Sequence, residues 1–334
     1  MTTPLACSIK THQPEARVDY LVFAGTEGIL AKNPYVDRVM TMPRGSRDTA
    51  FVASLWHRYD VALATNPSDR MTLFGVVAGK RSYGLLQGLP AEWWKRLFLT
   101  GWRRYDDRNH VVPGILSLLD GPGIPKQPRV VMGFDADDET FVRTRLAGGA
   151  YVVLHPYSRS GCKFWGAEKW GALAGLIHDR LGLRTVFTVT PDPADRAFLE
   201  RIAAAAPTGI EWFPEPFSLN QLAAAIAGSA AYVGIDTAAT HIAAAVGAPT
   251  VAIFGPTLTR YWAPWPNGCR ESSPFGDGGG VQRVGNVTVV QKPWECVPCN
   301  RESCAISRRD RMECLEEITP EEVFREVMDH VGHH

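Results

Sequence analysis

Short apolar runs alternate with helix-period segments along the whole chain. The runs of the first half are VDYLVF (18–23), VDRVMTM (36–42) and YDVALAT (59–65), with helical stretches such as DTAFVASLWHRY between them. The rhythm restarts at YVVLH (151–155) and continues through RTVFTVT, IEWF, AAYVGI and TVAIF, separated by alanine-rich helical segments. This alternation indicates βαβ units and parallel sheets.

The middle of the chain is punctuated by Gly and Pro, in DGPGIPKQPRVVMGFDADDET, which predicts a domain junction around residues 120–150. At 334 residues the chain is longer than one hydrophobic core usually supports. We therefore predict two Rossmann-like domains, residues 1–145 and 146–318. A terminal helix over residues 319–334 follows, because TPEEVFREVMDHV has a Thr cap, a Pro at the first helical position and acidic residues in the first turn.

The alternation breaks between Gly255 and Trp294, where Pro, Gly and Trp dominate. This composition predicts a long loop region, and loops of that length are usually functional.

Composition and charge exclude several classes of protein. Lys plus Arg and Asp plus Glu both number 35, so the net charge is zero and we expect no nucleic-acid partner. No apolar run approaches the length of about twenty residues that a membrane-spanning helix needs. The N-terminal residues lack the features of a secretory signal, so we expect a cytoplasmic protein.

Candidate chemistry is concentrated in YVGIDTAATHIAAAVGAPTVAIFGPT, residues 232–257. Asp236 follows a predicted strand, and TAATHIAAAVG predicts a helix. Ligands bind at the carboxyl ends of parallel strands, where the N–H groups of a helix start suit a phosphate. Thr237 adds a hydroxyl, and His241, four residues later, shares its helix face. The structural alternatives are a helix cap for Asp236 and a packing role for His241.

Asp-Thr, a small residue, His, an alanine-rich helix and VAIFGPT closely resemble the signature of the lipopolysaccharide heptosyltransferase family, glycosyltransferase family 9. VDYLV…NPYVDRVM and LHPYSRSGCKFWGAEKWGALAGLI are also similar to the family, so the resemblance spans most of the chain. It implies an α/β fold of GT-B type, with two Rossmann-like domains facing across a cleft. It also implies inverting transfer of heptose from ADP-heptose, without a catalytic cofactor or metal, to a lipopolysaccharide core or related glycan.

The resemblance assigns donor-binding roles to single residues. Lys163 matches the family's donor lysine, Ser158 lies in the phosphate-facing loop, and Asp236, Thr237 and His241 match the donor signature. A fixed ammonium is most effective when charge builds up on the departing diphosphate. For Lys163 the structural alternative is a solvated surface lysine. The chain has Ala238 where the family usually has glycine, which puts the donor preference in doubt.

The family's catalytic residue has no counterpart here. Family members begin with a strand ending in Gly-Asp, whose aspartate is taken as the base, and TTPLACSIK resembles the helix that follows it. We therefore leave the catalytic residue unassigned and expect this aspartate upstream of Met1, or a form without it. The alternative function is a non-catalytic sugar-nucleotide-binding or scaffold protein derived from the family. A dinucleotide oxidoreductase is disfavoured because no G-x-G-x-x-G follows an early strand.

Four cysteines form a C-x2-C-x4-C-x9-C array, comprising Cys296, Cys299, Cys304 and Cys314. Four thiolates at such spacing predict a structural zinc or iron site, with reduced thiols or local disulfides as the alternative.

The segment EWWKRLFLTGWRRY, Glu92 to Tyr105, interleaves tryptophans with cations. This pattern suits an anionic lipid or a phosphorylated glycolipid acceptor and predicts peripheral contact with the inner membrane leaflet. The alternative is a helix that packs its tryptophans inside and solvates its cations.

Overall fold

The computed structural model describes residues 1–42, 49–88, 90–207, 210–307 and 312–332. Its contacts divide the chain into two compact units, Met1–Val131 and Met132–His334. The domain limits given above, 1–145 and 146–318, stay a prediction.

Short helices and strands alternate in the first unit. Its helices are α1 (Thr3–His12), α2 (Thr49–Ser54), α3 (Asp69–Ala78), α4 (Lys95–Phe98) and α5 (Val111–Leu116). Its strands are β1 (Asp19–Phe23), β2 (Arg38–Met42), β3 (Tyr59–Ala64), β4 (Gly79–Leu86) and β5 (Gly101–Arg104). Two further turns of 3-10 helix span Glu27–Ile29 and Ser117–Asp120.

The strands of the first unit form two parallel sheets within the described residues. One sheet pairs β1 with β2, and the other has the order β3-β4-β5. Most residues of β1, β2 and β3 are only half-buried. The sheets are linked by side chains, because the Tyr59 hydroxyl at the start of β3 donates to Asp19 Oδ2 at the start of β1, 2.9 Å away.

The second unit repeats the alternation with longer helices. Its helices are α6 (Ala136–Arg145), α7 (Ala167–Leu181), α8 (Pro193–Ala205), α9 (Leu219–Ala227), α10 (Ala238–Val246), α11 (Thr259–Trp262), α12 (Glu313–Glu316) and α13 (Pro320–Val331). Its strands are β6 (Tyr151–His155), β7 (Arg184–Phe187), β8 (Glu211–Trp212), β9 (Ala231–Ile235), β10 (Thr250–Ile253), β11 (Gly280–Val284) and β12 (Val287–Gln291). One turn of 3-10 helix spans Gly161–Lys163.

All strands described in the second unit join one sheet in the order β11-β12-β10-β9-β6-β7-β8. Every pairing is parallel except that of β11 with β12. Every residue of β9, β10 and β12 is buried, as expected of strands that are covered on both faces. The last helix packs on α7, and the indole N–H of Trp165 donates to the Ile318 carbonyl just before it.

All eight apolar runs named above form strands at or within a few residues of the predicted bounds. The expectation of a loop from Gly255 to Trp294 is wrong in part, because this stretch contains α11 and the β11–β12 hairpin. The β-branched run VTVV of β12 is buried beside β10, so tertiary pairing turns part of a Gly-rich segment into sheet. No helix in the described part of the chain is both long and apolar enough to cross a bilayer.

Candidate active site

Strands β6 and β9 lie side by side and run parallel, so the loops that follow them leave the sheet at the same edge. Their pairing aligns Val152 with Ala231 and His155 with Gly234. The loop after β6 contains Ser158 and Lys163. The loop after β9 leads through Asp236 and Thr237 into α10, and the sheet thus brings the two predicted donor segments together.

An ion pair joins these two loops. Lys163 Nζ lies 2.6 Å from Asp236 Oδ2, and the side chains are 27% and 7% exposed. The carboxylate is therefore held almost out of solvent while the ammonium stays accessible. The interpretation of Lys163 as a solvated surface lysine is wrong, because its charge is held at the carboxyl edge of the sheet.

Helix α10 begins at this ion pair. Its N-cap residue is Thr237, whose side chain makes no capping hydrogen bond; its hydroxyl lies 3.4 Å from the Ile235 carbonyl. Asp236 precedes the N-cap, so its interpretation as the helix cap is wrong. The first N–H groups of a helix have no partner within the helix, and here the N-cap side chain does not accept from them. They suit an anionic ligand.

His241 lies one turn into α10. Its backbone N–H donates to the Thr237 carbonyl, and its side-chain Nδ1 is buried without a hydrogen-bond partner among the described residues. Burial lowers the pKa of the imidazole to about 4, although the nearby Asp236 carboxylate acts in the opposite direction. The ring is therefore neutral near pH 7 and can offer a hydrogen bond, rather than a positive charge, to a ligand.

Ser158 organises the loop after β6. Its Oγ accepts a hydrogen bond from the Ser160 backbone N–H at 3.1 Å. The Ser160 hydroxyl in turn lies 3.1 Å from Cys162 Sγ, next to Lys163. The contact that the structure shows for Ser158 is thus within its own loop, and contact with a phosphate stays a prediction.

Sequence reasoning missed the residues that fix α10 to β9. The Thr240 hydroxyl donates to the Ile235 carbonyl and lies 3.1 Å from the Tyr232 hydroxyl. The Tyr232 side chain folds over Gly234, where an added Cβ would lie 2.2 Å from the Tyr232 hydroxyl oxygen. The sequence does contain a signal for this packing, because a Tyr and a Gly two residues apart lie on one face of a buried strand. The glycine has no side chain, and its absence makes room for the tyrosine ring.

A second pair at this edge was also missed. His155 Nδ1, at the end of β6, lies 2.8 Å from the Thr188 hydroxyl, which follows β7. Burial lowers the pKa of His155 to about 4. On the other side of β9, the Gln291 amide donates to the carbonyls of Gly255 and Thr257 and holds the loop that follows β10.

The predicted metal site is not supported. Cys296, Cys299, Cys304 and Cys314 are all free thiols, and they range from exposed Cys296 to buried Cys314. Burial raises the pKa of the Cys314 thiol to about 11, and the neighbouring cysteines add to the rise, which favours the thiol over the thiolate that a metal needs. Among the described residues no three His, Cys, Asp or Glu side chains are grouped to hold an ion. Residues 308–311, within this array, lie outside the described ranges.

A sequence model of glycosyltransferase family 9 (heptosyltransferase) matches residues 96–273, more than half of the chain. The chain belongs to this family. It is 28% identical over 297 residues to lipopolysaccharide heptosyltransferase 3 of Escherichia coli, covering 80% of this chain and 83% of that protein. The resemblance drawn from the Asp236 segment is thereby confirmed.

Solved structures agree on the fold. E. coli ADP-heptose lps heptosyltransferase II matches with a TM-score of 0.74 at 19% identity, over 99% of this chain and 94% of that one. The family 9 glycosyl transferase of Veillonella parvula matches with a TM-score of 0.77 at 16% identity, over 100% and 93%. The predicted α/β fold of GT-B type is confirmed for this heptosyltransferase-family chain.

Proposed function

We propose that this protein is an inverting glycosyltransferase that moves heptose from ADP-heptose to a lipopolysaccharide core or a related glycan acceptor. The observation that carries the proposal is the Lys163–Asp236 ion pair at the start of α10. Its relatives include lipopolysaccharide heptosyltransferase 3, whose name supports heptose as the transferred sugar and this class of acceptor.

Each donor-site residue has a distinct role in the proposal. The diphosphate binds at the first N–H groups of α10, with the Thr237 hydroxyl beside it. The Lys163 ammonium contacts the diphosphate, either in place of Asp236 or together with it. It offsets the negative charge that grows on the diphosphate as the sugar–oxygen bond breaks. Because this charge is larger in the transition state than in bound donor, a fixed ammonium lowers the barrier instead of merely tightening binding.

Asp236 and His241 act on the sugar side of the donor. The Asp236 carboxylate accepts a hydrogen bond from a sugar hydroxyl, since a carboxylate facing the diphosphate would be repelled. The neutral His241 ring offers its unpartnered Nδ1 to the same ligand. Ser158 shapes the loop that approaches the phosphates.

Inversion follows from direct displacement: the acceptor oxygen bonds to the anomeric carbon on the face opposite to the diphosphate, the bond from that carbon to the diphosphate oxygen breaks, and ADP leaves. The proton of the acceptor hydroxyl passes to solvent, since no base is assigned. We propose that the chemistry is independent of metal ions, because Lys163 and the helix N–H groups supply the positive potential at the leaving group. A lipid-anchored acceptor places the reaction in the cytoplasm at the inner leaflet, and peripheral contact with that leaflet is part of the proposal.

The test is ADP release on mixing the protein with ADP-heptose and a lipopolysaccharide core acceptor, with and without EDTA. We expect turnover that EDTA leaves unchanged, and a loss of about 10²- to 10³-fold in kcat for Lys163→Ala, the range found when one preorganised charge-stabilising group is removed. The matched control is Lys80→Ala, which removes another lysine–carboxylate pair, 2.9 Å from Asp60, in the first unit.

Three outcomes would contradict parts of the proposal. ADP-heptose binding without ADP release would instead support a non-catalytic sugar-nucleotide-binding protein. Equal turnover of Lys163→Ala and Lys80→Ala would show that Lys163 has no role in donor binding or transfer. Loss of turnover in EDTA would show that the chemistry needs a metal ion.

A further inference from the structure

Three large apolar side chains are exposed on and just before α4. Trp93 is 59% exposed, Leu97 is 71% exposed and Phe98 is 60% exposed. Leu97 and Phe98 lie on α4, and Trp93 lies in the turn that precedes it. We call these three residues the Trp93 surface.

Lys95 is inside and Trp93 is outside, which is the reverse of the alternative in which the segment packs its tryptophans inside and solvates its cations. The other cations and tryptophans of the segment are half-buried, apart from the exposed Arg104. Lys95 is 1% exposed. Its Nζ lies 2.5 Å from Glu92 Oε1 and 2.9 Å from Asp69 Oδ1, and it donates to the Pro67 carbonyl. A buried, paired lysine is used here to anchor α4, while nothing in the described residues covers the Trp93 surface.

The anchoring partners place this surface at one edge of the three-stranded sheet. Pro67 follows β3, and Glu92 accepts hydrogen bonds from the backbone N–H groups of Gln87 and Gly88, which follow β4. Because β3 and β4 are parallel, both contacts lie at the carboxyl edge of the sheet. The exposed residues are therefore anchored at the carboxyl edge of this sheet.

Positive charge accompanies the exposed apolar residues. Arg96, Arg103 and Arg104 follow the buried, paired Lys95 in residues 93–104, a range that contains no acidic residue. Arg104 is exposed, and Arg103 is 42% exposed and forms an ion pair with Asp120, whose Oδ2 lies 3.5 Å from its Nε. Arg96 stacks on the Trp102 ring, 3.9 Å from its centroid, which keeps that guanidinium beside the apolar cluster.

We infer that the Trp93 surface is a docking site for an anionic lipid bilayer. Tryptophan, leucine and phenylalanine beside arginines match the two parts of such a partner, because the rings and the aliphatic chain enter the boundary between headgroups and acyl chains while the cations meet lipid phosphates. The choice of a membrane over other apolar partners rests on the proposed function, which uses a lipid-anchored acceptor.

The experiment measures binding of the full chain to vesicles of neutral phosphatidylcholine, with and without one quarter phosphatidylglycerol, by co-sedimentation. We expect wild-type protein to bind the anionic vesicles at least tenfold more tightly than the neutral ones. Trp93→Ser with Phe98→Ser should lower binding to anionic vesicles at least tenfold, and Leu97→Ser alone by about threefold. The matched control is Trp56→Ser, because Trp56 is 67% exposed but precedes β3, at the opposite edge of the same sheet.

Transfer to a soluble, lipid-free core acceptor is measured on the same proteins. We expect it to be equal in wild type and all surface variants, so that failure of vesicle docking and failure of the proposed function are separate results. Equal vesicle binding by wild type and the double variant would overturn the docking site, as would equal binding to neutral and anionic vesicles. Self-association that the double variant abolishes, with no vesicle binding by wild type, would also overturn it.

Discussion

The two units use the same βα alternation, but inner strands of the second unit's sheet are more deeply buried than β1, β2 and β3 of the first unit. In the second unit β9, β10 and β12 are buried at every residue within one continuous sheet. In the first unit β1, β2 and β3 are mostly half-buried and are divided between two sheets. Within the described residues β1 pairs only with β2, and β3 only with β4.

The difference follows from the composition of the strands. The fully buried strands of the second unit, such as AYVGI and TVAI, carry no charged residue and suit burial on both faces. Those of the first unit carry charges, with Asp19 in β1, Arg38 in β2 and Asp60 in β3. The comparison teaches that the proposed donor site, with its ion pair, lies beside the more deeply buried strands, which suits a charge that must stay fixed.

The largest expected effect is a difference in the free energy of unfolding between two matched Val-to-Ala variants, one in the sheet of each unit. Val233→Ala, in fully buried β9, should lower the free energy of unfolding by about 2–3 kcal/mol, since two methyl groups are lost and a cavity remains. Val61→Ala, in half-buried β3, should cost less than about 1 kcal/mol. Native-state hydrogen exchange of the β9 and β3 amides measures both values unit by unit.

Equal decreases in the free energy of unfolding for the two valine variants would contradict the expected difference between the two sheets. So would faster exchange of the β9 amides than of the β3 amides in wild-type protein, because the fully buried sheet should open last.

An intermediate effect is expected from pH in the second unit. Burial lowers the pKa of His155 to about 4, below its ordinary value of 6.5, so the unfolded chain binds the proton more tightly than the folded one. The stability that His155 contributes should therefore be complete above about pH 6.5 and fall towards pH 4, by about 1–2 kcal/mol between pH 7 and pH 5. His241, whose pKa is lowered in the same way, adds a loss of the same sign.

His155→Gln tests the origin of this pH dependence. Glutamine does not titrate and retains a side chain able to bond the Thr188 hydroxyl, which lies 2.8 Å from His155 Nδ1 in the native protein. Hydrogen exchange of the β9 amides at pH 7 and pH 5 should show a smaller loss in the variant. An unchanged loss would assign the pH dependence to other groups.

The smallest effect compares two serine helix caps. Ser218 and Gln221 form a reciprocal capping box at the start of α9, with bonds of 3.2 and 2.9 Å. Ser68 caps α3 with a single bond of 3.4 Å to the Met71 N–H. Ser218→Ala should cost about 1 kcal/mol and Ser68→Ala about 0.5 kcal/mol, measured by urea unfolding of each unit. A larger decrease in the free energy of unfolding for Ser68→Ala than for Ser218→Ala would contradict this prediction.

Local pattern predicted the strands well and the Gly-rich stretch poorly. Runs such as YVVLH are apolar for the length of one strand and end in turn signals, so their type follows from neighbouring residues alone. The β11–β12 hairpin was missed because Gly279 and Gly280, which both have positive φ, are typical of a loop, and only pairing of β12 with β10 makes the segment sheet.

The candidate site was predicted in its residues but not in its contacts. Asp236, Thr237 and His241 are close in sequence, so one helix start explains them. Lys163 lies beside them only because β6 and β9 are neighbours in the sheet. The residues of the two strands do not by themselves predict that they are neighbours. Spacing alone likewise did not establish the predicted metal site, since among the described residues no three His, Cys, Asp or Glu side chains are grouped to hold an ion.

By itself the sequence determined most of the elements, the family and the residues of the proposed donor segment, because these depend on periodicity and short motifs. The tertiary structure decided that Lys163 pairs with Asp236, that Lys95 is buried while Trp93 is exposed, and that β9, β10 and β12 are more deeply buried than β1, β2 and β3. Those outcomes depend on which distant segments become neighbours, and burial and electrostatic energy are properties of the neighbours rather than of the residue alone.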